Sequence, residues 1–562
     1  MKRNNVIHVF YSNRKYIIYI LFFMIASSVI NVYQPIINKK VIDIGFMKRN
    51  YYNIIYYCLI LVITYLINSI LQFLMEKIRI ELYCGIKYDL YQLSYLHLLE
   101  INDDFLRKND TSDIIQELDI DIDHISDLVD TNIITTIMNV FMMIGGIIGL
   151  FLINKPLTIL LLLCIPIKIF TELFFIKMNV KYNQNYIKAN EKFVNIFSDY
   201  IAGMNDIKIY NLKKASTNNF NKYKANEIEQ QKKSQMLLNI NEIFDNLYIN
   251  VIIILIYILG ARFLVNENVS VGTVVTFSTY SLLVLNPISM ILHTFFFLGG
   301  ISPSYNRLNE FFDIKEENSG IQRISDFEKL TLTFKNVSYN FENNKIGLKN
   351  LNFSIQLNEK VAFCGANGSG KSTLLDLIIK IKRPQEGIIE LNGIDINVLN
   401  IDGYRSLFSV CLQNSHLFNK SIFQNICLEE NKKRNEIAKN EINEYIQSFL
   451  IDKDLNSSVG INGSLLSKGQ KQMVLLLRAL LGNRRVIILD EALSHIDILK
   501  KEKLYKIISE LPNGMLIATH ERKILEEVDK IIFMIDGEIN EIGTFNELMK
   551  NNDFKLLMEK YE

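Results

Sequence analysis

Residues Gly365–Thr373 read G-A-N-G-S-G-K-S-T. Glycines at this density let backbone N–H groups converge on a concave surface that side chains would block, and a phosphate fits there. Lys371 can reach the β- and γ-phosphates of a nucleoside triphosphate, while the Ser372 hydroxyl suits Mg²⁺. The expected binding set of this loop is Gly365, Asn367, Gly368, Ser369, Gly370, Lys371, Ser372 and Thr373. Further along, the apolar run Val486–Leu489 ends in two acids, Asp490 and Glu491. Acids at the end of a buried strand project from the sheet edge, where Asp490 suits a Mg²⁺-associated role and Glu491 the polarisation of an attacking water. One acid there could be a helix cap; both together favour hydrolysis. Between the two motifs lies L-S-K-G-Q, Leu466 to Gln470. Ser467 is a good N-cap for the apolar helix that follows (Met473, Val474, Leu475, Leu477, Leu480), so its hydroxyl and the helix dipole can jointly bind an anion.

The elements that must hold these groups follow the order the chemistry needs. Val361–Cys364 is a short apolar strand, the glycine-rich loop follows directly, and a helix begins near Lys371 with Leu374, Leu375, Leu377 and Ile378 on its buried side. Strand, loop and helix in that order is the setting of a phosphate-binding loop. From Leu332 onward strands and helices alternate. Residues 301–330, with Pro303, Glu316, Glu317 and a Ser319-Gly320 turn, read as a linker.

The first 300 residues differ in kind. A bilayer core of about 30 Å needs roughly 20 mostly apolar helical residues. Six stretches qualify: 16–37, 51–76, 131–153, 157–178, 244–265 and 272–299. Short gaps follow the first, third and fifth, and two long excursions, 77–130 and 179–243, follow the second and fourth. Those excursions keep a helical rhythm (Tyr83, Ile86, Leu90 and Leu93; Phe193, Ile196, Phe197 and Ile201), so the spans are expected to continue as helices beyond the membrane. Charge does not settle the orientation: the first excursion is acidic, and Lys39, Lys40, Lys48 and Arg49 fall in the presumed outer loop, against the positive-inside rule. The need of the C-terminal module for ATP puts it, and the excursions, in the cytosol. A cleaved signal peptide is the rival reading of the start, with Ala26-Ser27-Ser28 as the cleavage mimic, but apolar residues continue past it. Gly145, Gly146 and Gly149 form a small-residue face for close helix packing. Lys168 and Glu172 are ionisable groups at membrane depth, read first as a salt bridge near the cytosolic boundary. His293 and Phe295–Phe297 could line a substrate cavity, although core or lipid-facing packing suits the phenylalanines as well.

A length of 562 residues exceeds one domain at a prior of about 150 residues each, and a net charge of +1 offers no field for nucleic acid. Six scattered cysteines without a C-x-x-C pair indicate neither a zinc site nor a disulfide framework.

Taken together these motifs resemble the nucleotide-binding domain of ABC transporters, and nearly the whole chain resembles an exporter-type half-transporter. The resemblance implies an all-α six-helix transmembrane domain with long cytosolic helical extensions over 1–300, the linker over 301–330, and an α/β P-loop ATPase domain of ABC type over 331–562. It implies roles for further residues. Tyr339 (V-S-Y-N-F) looks like the aromatic that stacks on adenine, and Gln413 (C-L-Q-N-S) like the glutamine linking Mg²⁺ to the membrane domain. Ser467, Gly469 and Gln470 match the signature, Asp497 the D-loop and His520 the switch histidine, catalytic with Glu491. The metal set it implies is Ser372, Gln413 and Asp490. Segments 103–112 and 205–212 look like coupling helices. Two chains would then trap two ATP between them, the signature of one meeting the γ-phosphate held by the other. Lys468 replaces the usual middle glycine of the signature, which puts an extra cation near the phosphates. Ile461 stands where glutamate is usual. With Glu491 and His520 both present a homodimer is expected, a heterodimer being the alternative.

The function these features imply is ATP-driven export through a dimeric multi-pass protein of the cell membrane, with ATP and Mg²⁺ as cofactors and no nucleic-acid partner. A lipid flippase, a chelate importer on the same scaffold and a soluble ATPase are the alternatives, the last opposed by six apolar spans. The substrate class stays open between a peptide, an amphipathic drug-like compound and a lipid. The few residues before the first span are too short for a leader-peptide-processing domain.

Overall fold

The computed structural model describes residues 5–102, 105–106, 109–265, 270–317, 320–324, 329–341, 346–413, 415–428, 454–482, 484–494 and 496–561. The chain separates into two compact units, one built on residues up to Glu316 and one from Glu317 onward.

In the first unit the described secondary structure is helical. A short helix α1 (Asn5–Ser12) precedes α2 (Arg14–Lys40), α3 (Tyr51–Glu100), α4 (Thr111–Ser126), α5 (Thr131–Ile153), α6 (Lys155–Ala202), α7 (Met204–Ile209), α8 (Lys213–Val265) and α9 (Val271–Phe312). Six segments among these are long and apolar enough to cross a membrane. Local chemistry fixes several starts. The side chains of Asn50, Asn154 and Ser270 each accept the backbone N–H three residues on, at the heads of α3, α6 and α9. Helices α3, α6 and α8 run far past a membrane thickness, as the rhythm of the excursions predicts. The third span departs from that pattern. Its extension is the separate helix α4, broken from α5 at Asp130, whose extended backbone and carbonyl start the new helix by accepting the Ile133 and Ile134 N–H groups. Helix α2 runs unbroken through Ala26-Ser27-Ser28, and buried Ser27 donates to Asn68 of α3 at 2.6 Å. The supposed cleavage site is therefore part of the helix packing.

The glycine face on α5 is used for close approach. A Cβ on Gly145 would lie 2.5 Å from Val32 Cγ2 of α2, one on Gly146 3.0 Å from Val284 Cγ2, and one on Gly149 2.9 Å from the Tyr280 ring, the last two on α9. Absent side chains let α2 and α9 settle directly on α5.

One boundary needs correcting. The linker read as starting at residue 301 is helix as far as Phe312, with Pro303 inside α9. Pro303 is exposed, and Gly299 and Gly300 on the preceding turn have open space around them. Ile301, Leu308, Phe311 and Phe312 are buried in a core shared with Ile86, Leu90 and Ile125, and that burial outweighs the missing N–H.

The second unit holds two sheets. A four-stranded antiparallel sheet has the order β2-β1-β4-β5, with β1 Thr331–Asn340, β2 Ile346–Gln356, β4 Glu386–Leu391 and β5 Ile394–Asp395. A six-stranded sheet has the order β10-β9-β3-β8-β7-β6, with β3 Lys360–Cys364, β6 Phe408–Cys411, β7 Val486–Asp490, β8 Gly514–Ala518, β9 Lys530–Ile535 and β10 Glu538–Gly543. Strands β9, β3, β8, β7 and β6 are mutually parallel. Strands β7 and β8 are buried at every position, as continuous apolar runs covered on both faces must be.

Candidate nucleotide site

The parallel register sets the site. Phe363 of β3 and Asp490 of β7 both pair with Ala518 of β8, and Cys411 of β6 pairs with Leu489. The carboxyl ends of four neighbouring strands therefore share one edge, and the glycine-rich loop, the two acids, Thr519-His520 and Gln413 all emerge there. Ligands of α/β sheets bind beyond such strand ends.

The loop 365–370 leads into helix α10 (Lys371–Ile378). Gly370, the N-cap, has φ +100°, where a side chain would be strained and would also strike Leu348 at 2.6 Å. Lys371 is buried, and its ammonium donates to the carbonyls of Gly365 (2.8 Å) and Ala366 (3.1 Å), folding back over the loop. Burial lowers the Lys371 pKa, with Glu491 acting the other way. Burial pushes the Cys364 thiol up to about 12, so it stays an inert apolar group. The Ser369 hydroxyl is buried without a hydrogen-bond partner, a polar atom turned into the loop with nothing to satisfy it.

Ser372 Oγ donates to Asp490 Oδ1 at 3.1 Å. Asp490 is 4% exposed, and burial raises its carboxyl above the ordinary range despite the Ser372 hydrogen bond. A buried carboxylate beside a hydroxyl is the donor pair a hard cation takes. With the unpaired Ser369 hydroxyl and the convergent loop, these residues fit a divalent cation carrying a triphosphate.

Glu491 sits one residue past the strand with φ +48°, in the left-handed region that a glutamate adopts only when its surroundings insist. Two hydrogen bonds hold the turn: Glu491 N–H to Ala518 O at 3.0 Å, and Gln472 Nε2 to Ala492 O at 2.9 Å. A small cavity beyond the strand ends is lined by residues that include Glu491, Ser494, Thr519 and His520.

The remaining expected residues lie on other elements of this unit. Tyr339 is half-buried on β1, its ring 5.4 Å from that of Phe341 and lying under the Lys382 ammonium. Gln413 is exposed just past β6. Thr373 is buried, while Asn367 and Gly368 are exposed at the loop crest. Asp497 heads α12 (Ile498–Glu510) without a side-chain cap bond, its carboxylate 3.6 Å from Lys500. Ser467 starts α11 (Lys468–Leu480) as an N-cap in a capping box: its hydroxyl accepts from Gln470 N–H at 3.2 Å, and the Gln470 side chain accepts the Ser467 N–H at 3.0 Å. Both Ser467 and Lys468 are exposed, with Gly469 next to them on a half-exposed turn. Ile461 is 75% exposed. Of the two expected coupling segments, 205–212 contains the short helix α7, and 103–112 includes residues 103–104 and 107–108, which lie outside the described residues.

Sequence reasoning missed three contributors. Phe341 lies two residues past Tyr339, a spacing that strand alternation could have flagged. Lys382 and Gln472 had no local signal, because each reaches the site only through the fold.

Both parts of the chain have counterparts among known proteins. The family model described as ABC transporter transmembrane region matches residues 17–288, and the one described as ABC transporter matches 348–494. An uncharacterized ABC transporter ATP-binding protein of Bacillus subtilis, YfiC, is 24% identical over 96% of this chain and 90% of its own length. The lactococcin-A transport/processing ATP-binding protein LcnC of Lactococcus lactis is 26% identical over 88% of this chain and 70% of its own. The structure of a bacterial Atm1-family ABC exporter with ATP bound aligns at TM-score 0.81 and 18% identity, covering 98% of this chain and 99% of that one. With one family model for the transmembrane region and another for the ATP-binding region in the same chain, the chain belongs to the ABC transporters and couples ATP hydrolysis to transport across a membrane, and its fold is that of an exporter-type half-transporter.

Proposed function

We propose that two copies of this chain form an ATP-driven exporter of the cell membrane, with the sheet edges in the cytosol and an amphipathic molecule as substrate. The observation that carries this reading is the grouping of Lys371, the Ser372–Asp490 pair and Glu491 at one sheet edge, with His520 in the cavity beside Glu491. MgATP, when bound, supplies the scissile γ-phosphate and the metal's charge. Lys371 would exchange its two carbonyl partners for phosphate oxygens. Ser372 and Asp490 would hold Mg²⁺, with Gln413 reaching toward it from the neighbouring strand. Glu491 orients the attacking water and takes its proton, and His520 donates a hydrogen bond toward the γ-phosphate. Tyr339 offers its ring to the adenine, and Asn367, Gly368 and Ser369 complete the cradle.

Ser467, with the Gly469 and Gln470 turn behind it, would meet the nucleotide of the second copy. It sits at an exposed helix start, where its hydroxyl accepts the Gln470 N–H. Lys468 adds an ammonium to that face. Asp497 would lie along the same seam. ATP favours the closed pair, and its hydrolysis removes the bridge, so the nucleotide biases a two-state membrane domain. Residues 205–212 and 103–112 would transmit that change.

The test is transport and hydrolysis together, in proteoliposomes holding the full chain. Candidate amphiphiles should accumulate on the side away from added ATP, and Glu491→Gln should end both accumulation and phosphate release. Accumulation that persists in Glu491→Gln would refute ATP-driven export.

A further inference from the structure

Three of the long apolar helices bring six polar side chains to one point: Lys168 and Glu172 of α6, Asn241 and Asp245 of α8, and Ser289 and His293 of α9. The lysine expected to pair with Glu172 on its own helix reaches across to Asp245 instead. Glu172 is held otherwise. Ser289 Oγ donates to its Oε1 at 2.8 Å, Asn241 Nδ2 donates to its Oε2 at 3.2 Å, and His293 Nε2 lies 3.9 Å from Oε2. The same Ser289 hydroxyl is 3.3 Å from Asp245 Oδ2. Lys168 and Glu172 are 1% and 2% exposed. At 1.5 Å per residue, Glu172 lies about 26 Å along α6 from its start, so the cluster sits within the span, toward the end where the helical extensions leave.

Charge in this cluster does not balance. Apart from His293, whose ring is charged only when protonated, two carboxylates face one ammonium, and the serine and asparagine contribute hydrogen bonds without charge. Ser289 has a single proton for two carboxylate acceptors. A structural ion pair between helices needs one carboxylate, and a second buried at membrane depth is costly unless something cationic joins it. The cluster is also open on one side. The side chain of Asp245 is 20% exposed and that of His293 43%. On α9, just past His293, Phe295 and Phe296 are exposed at 72% and 46%, their rings edge to face.

We propose that this cluster recognises a positively charged organic group, such as an ammonium, on an amphipathic substrate whose apolar part lies against the exposed phenylalanines. The proposal rests on the exporter reading and names the chemical class of its cargo. A metal ion fits poorly: among the described residues no three His, Cys, Asp or Glu side chains are placed to hold one, and the Lys168 ammonium lies within the cluster. An organic cation needs only the surplus carboxylate and the aromatic faces, which attract cations in their own right.

Tetraphenylphosphonium and tetraphenylborate have the same shape and opposite charge, and they make the test. Full-length protein in lipid nanodiscs should bind the phosphonium saturably, above the background of empty nanodiscs, and should not bind the borate. Glu172→Gln and Asp245→Asn should each weaken phosphonium binding at least about tenfold. His293→Arg keeps both carboxylates but sets a fixed cation beside Glu172. Because His293 is half exposed, this substitution is tolerated even if Glu172→Gln does not assemble, and it should weaken binding to the same degree. Equal binding of the two ions, no saturable phosphonium binding, or unchanged binding in His293→Arg would each overturn the proposal. Phosphate release by the same preparation, dependent on Glu491, reports separately on the ATP-driven reading.

Discussion

At the carboxyl edge of the parallel sheet, Lys371 and Asp490 are 5% and 4% exposed; in the helical bundle, Lys168 and Glu172 are 1% and 2% exposed. Both regions bury charge, but they position it by different means. Lys371 and Asp490 are set by backbone: one heads the helix after a glycine loop, the other ends a strand whose register is fixed by β8. The bundle charges are set by packing alone, with Lys168 and its partner Asp245 separated by 77 residues. Charge placed by a short backbone motif is tuned for one reaction, whereas charge placed by helix packing shifts whenever the helices do. The first arrangement suits a fixed chemical step and the second suits a cargo site in a moving bundle.

The comparison can be broken at several points, beginning with the largest effect. Glu491→Gln should lower phosphate release by about 10²–10⁴-fold while nucleotide binding persists, measured by single-turnover hydrolysis beside equilibrium binding. A mutant that still hydrolyses normally would remove Glu491 from the chemistry. Lys371→Ala should weaken binding of a fluorescent ATP analogue at least about tenfold, the order expected when a charged hydrogen-bonding partner of phosphate is lost.

Packing in the bundle gives the next effect. Gly149→Val would press a branched side chain into the Tyr280 ring and should cost about 1–3 kcal/mol, read as a lower melting temperature. Unchanged melting would mean that α5 and α9 are not in the close contact described. Gln472→Ala removes one hydrogen bond behind the Glu491 turn, worth about 0.5–1.5 kcal/mol. The expected result is a several-fold fall in kcat with little change in KM, since the turn positions Glu491 without touching nucleotide.

The smallest effect concerns Asp490. Its carboxyl is raised by burial, so the native state binds this proton more tightly than the unfolded chain. Stability of the nucleotide- and Mg²⁺-free protein should therefore fall as pH rises from the ordinary carboxylate range through the raised value. Asp490→Asn should remove that component and raise the melting temperature at neutral pH, although it would impair Mg²⁺-dependent hydrolysis. A lower melting temperature would mean that the charge is stabilising where it sits.

The same contrast explains what the sequence made legible. The phosphate loop, the strand ending in Asp490-Glu491 and the N-cap at Ser467 are local, so residue type and spacing were enough to find them. The six spans and the glycine face of α5 were legible because a bilayer and close packing leave strong composition signals. Lys168 and Glu172 were noticed, but their four-residue spacing suggested a mutual pair, whereas the lysine reaches Asp245 on another helix. Asp245, at the start of the span 244–265, could have been flagged by the same rule, whereas Asn241 and Ser289 carried no signal of their own. Pro303 and Glu316 suggested a linker from residue 301, yet burial of Leu308, Phe311 and Phe312 carries the helix on to Phe312. Glu491's left-handed backbone is likewise a product of the turn's tertiary hydrogen bonds.

The central claim is that each nucleotide is shared between two copies of the chain. Imaging the full-length Glu491→Gln protein in nanodiscs with MgATP by electron cryomicroscopy tests it most directly. The expected result is two closed copies, with Ser467 of each within hydrogen-bond distance of a γ-phosphate whose loop belongs to the other. Ser467 remote from every triphosphate, with ATP held by single separated copies, would contradict the account.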